Sequence, residues 1–233
     1  MQVRLSPGVE DLHTPTSQAS VAAALKRGVD VAVSATALLA AAPILAVVAV
    51  AVLLGMGRPI IFRQQRIGRY GREFTILKFR SMAGGDDRFS PGDDQARLTP
   101  LGRWLRATSL DELPSLWNIL RGDMSLVGPR PFPTSYRDLY TPDEFRRHDV
   151  RPGLTGLAQV NGRNELGWAE RFAYDLHYVQ RWSLLLDARI LARTAVAVLR
   201  RQGISAPGTA TAHEFRGTAG ERQVPATAGR GSR

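Results

Sequence analysis

The stretch VAVSATALLAAAPILAVVAVAVLLGMG, residues 31–57, decides how the rest of the chain must be arranged. It carries no charged side chain, is dominated by Ala, Val and Leu, and exceeds the ~20 apolar residues a helix needs to cross a bilayer core. It starts too far into the chain and runs too long for a secretory signal, whose apolar region is about 7–15 residues. Lys26 and Arg27 precede it, and Arg58, Arg63, Arg66, Arg69 and Arg72 follow it, so the preference of basic flanks for the cytoplasmic side applies to both ends. Pro43 lies near the middle, where it removes a helical hydrogen bond and clashes with the preceding turn. A helix, a break at Ala42 and Pro43, and a second helix give a re-entrant hairpin that enters and leaves by one face. A kinked helix that crosses fully satisfies the same residues, and the segment alone leaves the two open. Asp30 is expected to pair with Lys26 or Arg27, with a headgroup contact as the alternative.

Outward from this segment, 233 residues suit one domain with appendages. Residues 1–21 and 203–233 are rich in Gly, Ala, Ser, Thr, Pro and Arg without sustained apolar periodicity, and read as flexible tails. The hairpin occupies 22–58 and the remaining domain 59–202. A formal net charge of +10 favours nucleic acid, anionic headgroups or phosphorylated substrates without choosing among them. The absence of cysteine excludes disulfides, thiolate catalysis and zinc–thiolate sites. His13, His148, His177 and His213 lack metal-ligand spacing.

In the domain, 60–62 and 74–79 are β-prone runs around an Arg-rich stretch, 66–72, which predicts a short hairpin whose basic loop faces headgroups or phosphates. Residues 82–94 read as a loop. Leu101, Trp104 and Leu105, then Leu113, Leu116, Trp117 and Leu120, recur at helical spacing and predict two amphipathic helices, each either packed on a core or lying in the membrane interface. One further helix is expected over 178–202.

Three segments carry candidate chemistry. Asp111 and Glu112 stand beside Pro114, which is expected in the first turn of the second amphipathic helix. Adjacent carboxylates there can hold phosphate through a divalent cation, and an Asp can attack phosphorus. Ser109 and Glu112 also have the spacing of a capping box and Asp111 can itself serve as an N-cap, so that spacing alone favours a helix cap here. The run GPRPFP, 128–133, holds Arg130 between two prolines that stiffen the backbone. The run RPGLTGLAQVNGR, 151–163, combines glycines with Arg151, Gln159, Asn161 and Arg163, a mixture suited to a sugar or phosphate and also to a plain surface loop. It has neither Walker A nor Rossmann spacing.

Taken in order, KRGVD (26–30), KFRSM (78–82), LDELPSLWNILRGDMSLVGPRP (110–131), RPGLTGLAQVNGR (151–163) and YDLHYV (174–179) resemble the bacterial sugar transferase family, the monotopic polyprenyl-phosphate phosphoglycosyl transferases. The resemblance implies that Asp111 attacks the sugar-linked phosphate of a UDP-sugar, releasing UMP, and that polyprenyl phosphate then displaces the covalent sugar phosphate. It implies Glu112 as the partner of Asp111, in holding Mg²⁺ or in proton handling. Arg130 is implied as a phosphate ligand, with Lys78 and Asp175 as further charged site residues. It also favours the re-entrant hairpin, although Ala42 stands where many relatives have Ser before the proline.

The fold expected is therefore α+β and mostly helical: a re-entrant membrane helix-break-helix, then a small cytoplasmic catalytic domain with interfacial amphipathic helices and a short β-hairpin. The expected partners are a UDP-sugar, undecaprenyl or another polyprenyl phosphate, and the bilayer with its anionic headgroups, on the cytoplasmic face of a bacterial inner membrane. Nucleic acid is not expected, and a homodimer is left open. The rival readings are an Asp-dependent membrane phosphatase and a basic membrane-tethered scaffold.

Overall fold

The computed structural model describes residues 17–84, 97–162, 166–199 and 214–217. Helix α1, Ser17–Met56, is followed by strands β1, Ile61–Ile67, and β2, Glu73–Phe79. Then come α2, Pro100–Thr108, α3, Ser115–Arg121, and β3, Ser125–Val127. The short α4, Pro142–Phe145, precedes β4, Gly153–Thr155, and α5, Leu157–Val160, and the described helices end with α6, Trp168–Arg181, and α7, Leu184–Leu199. The protein is mostly helical, with a long apolar N-terminal helix and two two-stranded sheets.

The break expected at Ala42 and Pro43 does not divide α1, whose helical backbone runs through Pro43. A proline removes one hydrogen bond and bends a helix without having to end it. The helix also begins inside the expected N-terminal tail, at Ser17, while residues 1–16 lie outside the described part.

Both ends of α1 are fastened to the same body. Near its start, Lys26 Nζ bonds Asp187 at 2.6 Å and the Val127 carbonyl at 3.2 Å, Arg27 donates to the Ile119 and Leu120 carbonyls, and Asp30 Oδ1 accepts from the Leu126 amide at 3.0 Å. Asp30 thus pairs with a backbone amide and not with Lys26 or Arg27. Near its end, Val48 and Val52 pack with Phe79 and Leu105. Arg80 caps the helix there by donating to the Met56, Gly57 and Arg58 carbonyls, which have no partner inside the helix. Between these anchors, Leu39, Val47 and Leu54 point outward and are 78%, 70% and 82% exposed.

Strands β1 and β2 form the expected hairpin, in register from Ile61 opposite Phe79 to Ile67 opposite Glu73. The first strand is longer than expected and takes in Arg66, so this residue is a strand residue and not part of a basic loop. The free edge of β2 is closed by α3: Asn118 accepts from the Leu77 amide and donates to the Thr75 carbonyl, and the Ser115 hydroxyl donates to the Leu77 carbonyl. These bonds satisfy an edge that would otherwise expose main-chain polar groups. They also fix the turn before α3 above the end of β2. Leu116 and Ile119 enter a core with Ile76, Met124, Leu126, Val127, Tyr178 and Ile190. Trp104 and Trp117, on stripes expected either to pack on a core or to lie in the membrane interface, face outward and are half exposed.

Strand β4 pairs in parallel with β3. The glycines of 151–156 serve this contact. A Cβ on Gly153 would lie 2.1 Å from the Gly128 amide nitrogen, and one on Gly156 would lie 2.2 Å from the Gly128 oxygen. Their close approach is therefore to the protein's own backbone. The helix expected over 178–202 is two helices, α6 and α7, parted at Trp182 and Ser183.

Candidate active site

Ser109 adopts a left-handed conformation (φ 57°) and makes no side-chain cap bond, so the capping box is not formed. Leu110–Glu112 is a 3₁₀ turn before α3 instead, and its carboxylates are available for other partners. Glu112 Oε1 accepts from Lys78 Nζ at 2.6 Å and from Arg130 Nη2 at 3.0 Å. The bonds from Asn118 and Ser115 to β2 bring Lys78 under the turn, and the prolines around Arg130 aim its guanidinium across from the other side.

Neither cation pairs with Asp111, which is buried on the same turn. Burial, reinforced by the neighbouring Glu112 charge, pushes the Asp111 carboxyl above its ordinary value, against Lys78, Arg106 and Arg130. At Glu112 burial acts in the same upward direction, but Lys78 and Arg130 outweigh it and hold the carboxyl well below the usual carboxylate range. Burial lowers the Lys78 ammonium, with Glu112 opposing. The two neighbouring carboxylates are therefore driven apart: one lowered and engaged by two cations, one raised and without an ion-pair partner, an arrangement common where acids do chemistry.

The loop that carries Arg130 is pinned along its length. Gly153 N donates to Pro129 O at 2.9 Å, Arg147 Nη2 to Arg130 O at 2.7 Å, Arg66 Nη1 to Pro131 O at 3.2 Å and Ile67 N to Phe132 O at 3.1 Å. Four successive carbonyls thus take donors from β4, from the turn after α4 and from β1. Two of these donors are arginines: Arg147, buried and not singled out from the sequence, and Arg66, half-buried and expected in a basic loop. Burial and the nearby Arg130 lower Arg66 to about 10, so it remains a cation at neutral pH. No local sequence signal marks Arg147, and only its tertiary contacts reveal it.

The other expected site residues are placed elsewhere or otherwise engaged. Asp175 is buried and pairs with Arg147 at 2.7 and 3.0 Å, so it reaches the Arg130 loop through Arg147. Arg151 donates to the Gly122 carbonyl at the end of α3. Asn161 donates to Leu157 O and accepts from Arg193. The Gln159 amide is buried with neither end hydrogen-bonded. Arg163 lies outside the described residues. His148, with its Nδ1 on the Phe145 carbonyl, is pushed down to about 3 by burial and by Arg147, and is neutral at physiological pH.

Among the described residues no group of three or more His, Cys, Asp or Glu side chains could by itself enclose a metal. Mg²⁺ usually binds one or two carboxylates together with substrate phosphates and water. The open Asp111 carboxyl beside Glu112 fits that mode of binding.

A family model described as bacterial sugar transferase matches residues 21–201. The chain belongs to the bacterial sugar transferase family. Among its relatives is a protein named uncharacterized sugar transferase EpsL of Bacillus subtilis, 48% identical over 170 residues, covering 72% of this chain and 83% of that one. The UDP-glucose:undecaprenyl-phosphate glucose-1-phosphate transferase of Caulobacter vibrioides is 45% identical over 188 residues, covering 75% and 69%. The exopolysaccharide production protein ExoY of Sinorhizobium fredii is 42% identical over 197 residues, covering 76% and 87%. This sugar transferase is a membrane-associated enzyme, which accounts for the outward apolar side chains of α1, a helix whose most apolar stretch is only 11% buried.

Proposed function

We propose that this transferase moves a sugar 1-phosphate from a UDP-sugar to undecaprenyl phosphate and releases UMP, through a covalent intermediate on Asp111, as the first membrane step of an exopolysaccharide or related glycan. The observation that carries this reading is the division of labour between the two carboxylates. Glu112 binds both cations, so the Asp111 carboxylate is left free to act as a nucleophile.

In the first step an Asp111 oxygen forms a bond to the sugar-linked phosphorus, and the bond from that phosphorus to the oxygen of UMP breaks. In the second, an oxygen of undecaprenyl phosphate attacks the same phosphorus, making the lipid diphosphate sugar and regenerating the Asp111 carboxylate. Arg130 offers a planar fork to two phosphate oxygens, and Lys78 supplies a second positive charge across the turn. Asp111 and Glu112 would hold Mg²⁺, which supplies charge neutralisation on the phosphate oxygens when bound.

The reaction requires the turn to lie at the membrane surface on the cytoplasmic side. Support comes from the fastening of α1 at both ends to one body, which favours a bent, one-sided path with Pro43 at its deepest point. Trp104 and Trp117, with Arg103 and Arg121 on the same short helices, suit a surface that rests in the interface. Single cysteines placed at residues 20 and 65 of this cysteine-free chain should both be labelled from the cytoplasmic side, and labelling on opposite sides would sink the one-sided path.

The chemical test uses purified protein with Mg²⁺ and a panel of UDP-sugars that includes UDP-glucose. UMP should appear in multiple turnovers only with undecaprenyl phosphate present, and Asp111→Asn should abolish it. Without acceptor, intact-mass spectrometry should find the sugar-phosphate adduct on the wild type and not on Asp111→Asn. Sustained release of free sugar phosphate without the lipid would instead indicate a hydrolase.

A further inference from the structure

Residues 214–217 lie beyond the stretch matched by the family model and inside the sequence expected to be a flexible tail, yet Phe215 is 1% exposed. Its ring stands 5.0 Å from Trp168, 5.1 Å from Phe172, 5.5 Å from Tyr136 and 5.6 Å from Tyr140. Its amide donates to the Tyr136 hydroxyl at 3.2 Å. The four rings come from α6 and from the segment between β3 and α4, so distant parts of the chain meet around one side chain. Such edge-on and tilted aromatic contacts hold more than their buried area alone accounts for.

The far wall of this socket is Phe132, 5.1 Å from Trp168 and 6.4 Å from Phe172. Phe132 belongs to the pinned loop and is two residues from Arg130. The Arg147 guanidinium lies over the Phe132 ring at 4.4 Å, and the same guanidinium donates to the Arg130 carbonyl and to Asp175. A continuous run of contacts therefore leads from Phe215, through Trp168 and Phe172, to Phe132 and Arg147, and so to the backbone of Arg130. Close-packed interiors transmit such displacements instead of absorbing them.

We propose that Phe215 is a positioning residue for Arg130: seated in its aromatic socket, the C-terminal segment is a strap that holds the arginine loop in register for the donor's diphosphate. This rests on the reading of Arg130 as a phosphate ligand. Removing the ring leaves a space behind Trp168 and Phe172 into which Phe132 and Arg147 can shift. A guanidinium that has to meet two phosphate oxygens tolerates displacements of only about 0.5 Å.

The test uses the full chain. Phe215→Ala should raise KM for UDP-glucose about tenfold while kcat changes less than about threefold, the pattern of weakened substrate binding. Phe215→Leu, which refills most of the space, should recover most of that loss. In an Arg130→Ala background, Phe215→Ala should add less than about a twofold further change, because coupled residues fail to add. Hydrogen exchange across 128–136 should be faster in Phe215→Ala than in the wild type, with no substrate present. An unchanged KM, an equal effect in both backgrounds, or unchanged exchange in the loop overturns the proposal. A wild type that releases no UMP from any UDP-sugar refutes the proposed function instead, and the exchange comparison still decides the strap.

Discussion

Replacing Glu112 with Gln tests the organisation of the site at the group on which both cations converge. The wild-type oxygen Oε1 takes two charge-assisted bonds, at 2.6 and 3.0 Å, from Lys78 and Arg130. Such bonds contribute about 1.5–3 kcal/mol each, whereas a neutral amide oxygen keeps about 0.5–1.5 kcal/mol for each one it retains. Glu112 is 21% and Arg130 44% exposed, so solvent screens the bonds and a net loss of about 1–2 kcal/mol remains. At 1.4 kcal/mol per factor of ten, kcat/KM for UMP release falls about 5- to 30-fold. The pH profile supplies a second, independent readout. Asp111 must be ionised to attack, and its pKa is raised by burial and by Glu112. Activity therefore falls on the acid side as pH drops through that raised value. Without the Glu112 charge the upward push weakens, and Lys78 and Arg130 are released to act on Asp111. The acid limb should then move to lower pH even as the maximal rate falls. Steady-state UMP release between pH 5 and 9, with undecaprenyl phosphate in detergent, measures both. A variant that keeps its rate within threefold and its acid limb in place would refute the idea that Glu112 organises the two cations and tunes its neighbour.

Other perturbations probe the scaffold. Asn118→Ala leaves the Leu77 amide and the Thr75 carbonyl without their partner, at a cost of about 3 kcal/mol, so Tm should drop by roughly 6–12 °C. A calorimetric shift under 2 °C would mean that α3 is held to β2 by apolar packing alone. Lys26→Met keeps the aliphatic stem but strands Asp187, which also accepts from Tyr178 and Trp182. About 3 kcal/mol should be lost for a pair that is mostly buried, and amide exchange in the first half of α1 should accelerate in nanodiscs, where unchanged exchange would count against a latch. His148→Phe should leave the pH profile of UMP release unchanged, because His148 is already neutral above about pH 3. A shifted limb would show that this imidazole titrates during turnover.

The hairpin of β1 and β2 was legible because β-prone runs flank a glycine-containing turn, a local signal. The two amphipathic helices were legible from apolar spacing, but which tryptophans they bury was not. Spacing marks a stripe, and only the neighbours on each side decide how much of it is covered. Lys78 was singled out through the family resemblance, and Asp111, Glu112 and Arg130 from their local sequence, the carboxylate pair with a helix cap as the reading that spacing alone favoured. That reading ended once Ser109 was seen in a left-handed conformation and Glu112 bonded to two cations. Arg151 and Asn161 were named as candidate ligands from residue type and Asp175 from the family resemblance, and neither signal shows which groups of its own fold a side chain meets.

The sequence by itself determined the apolar segment with its doubly basic flanks and its proline, the family, and the carboxylate pair, because composition, order and short-range spacing are properties of the chain before it folds. The tertiary structure alone decided that both ends of that segment are bolted to one body, by Lys26, Arg27 and Asp30 at one end and Arg80 at the other. It alone decided that Glu112 takes the cations and leaves Asp111 open. It alone made Arg66 and Arg147 donors to the Arg130 loop and seated Phe215, from an expected tail, in an aromatic socket. Each of these depends on groups tens to more than a hundred residues apart, and their burial and charge exist only once those groups have come together.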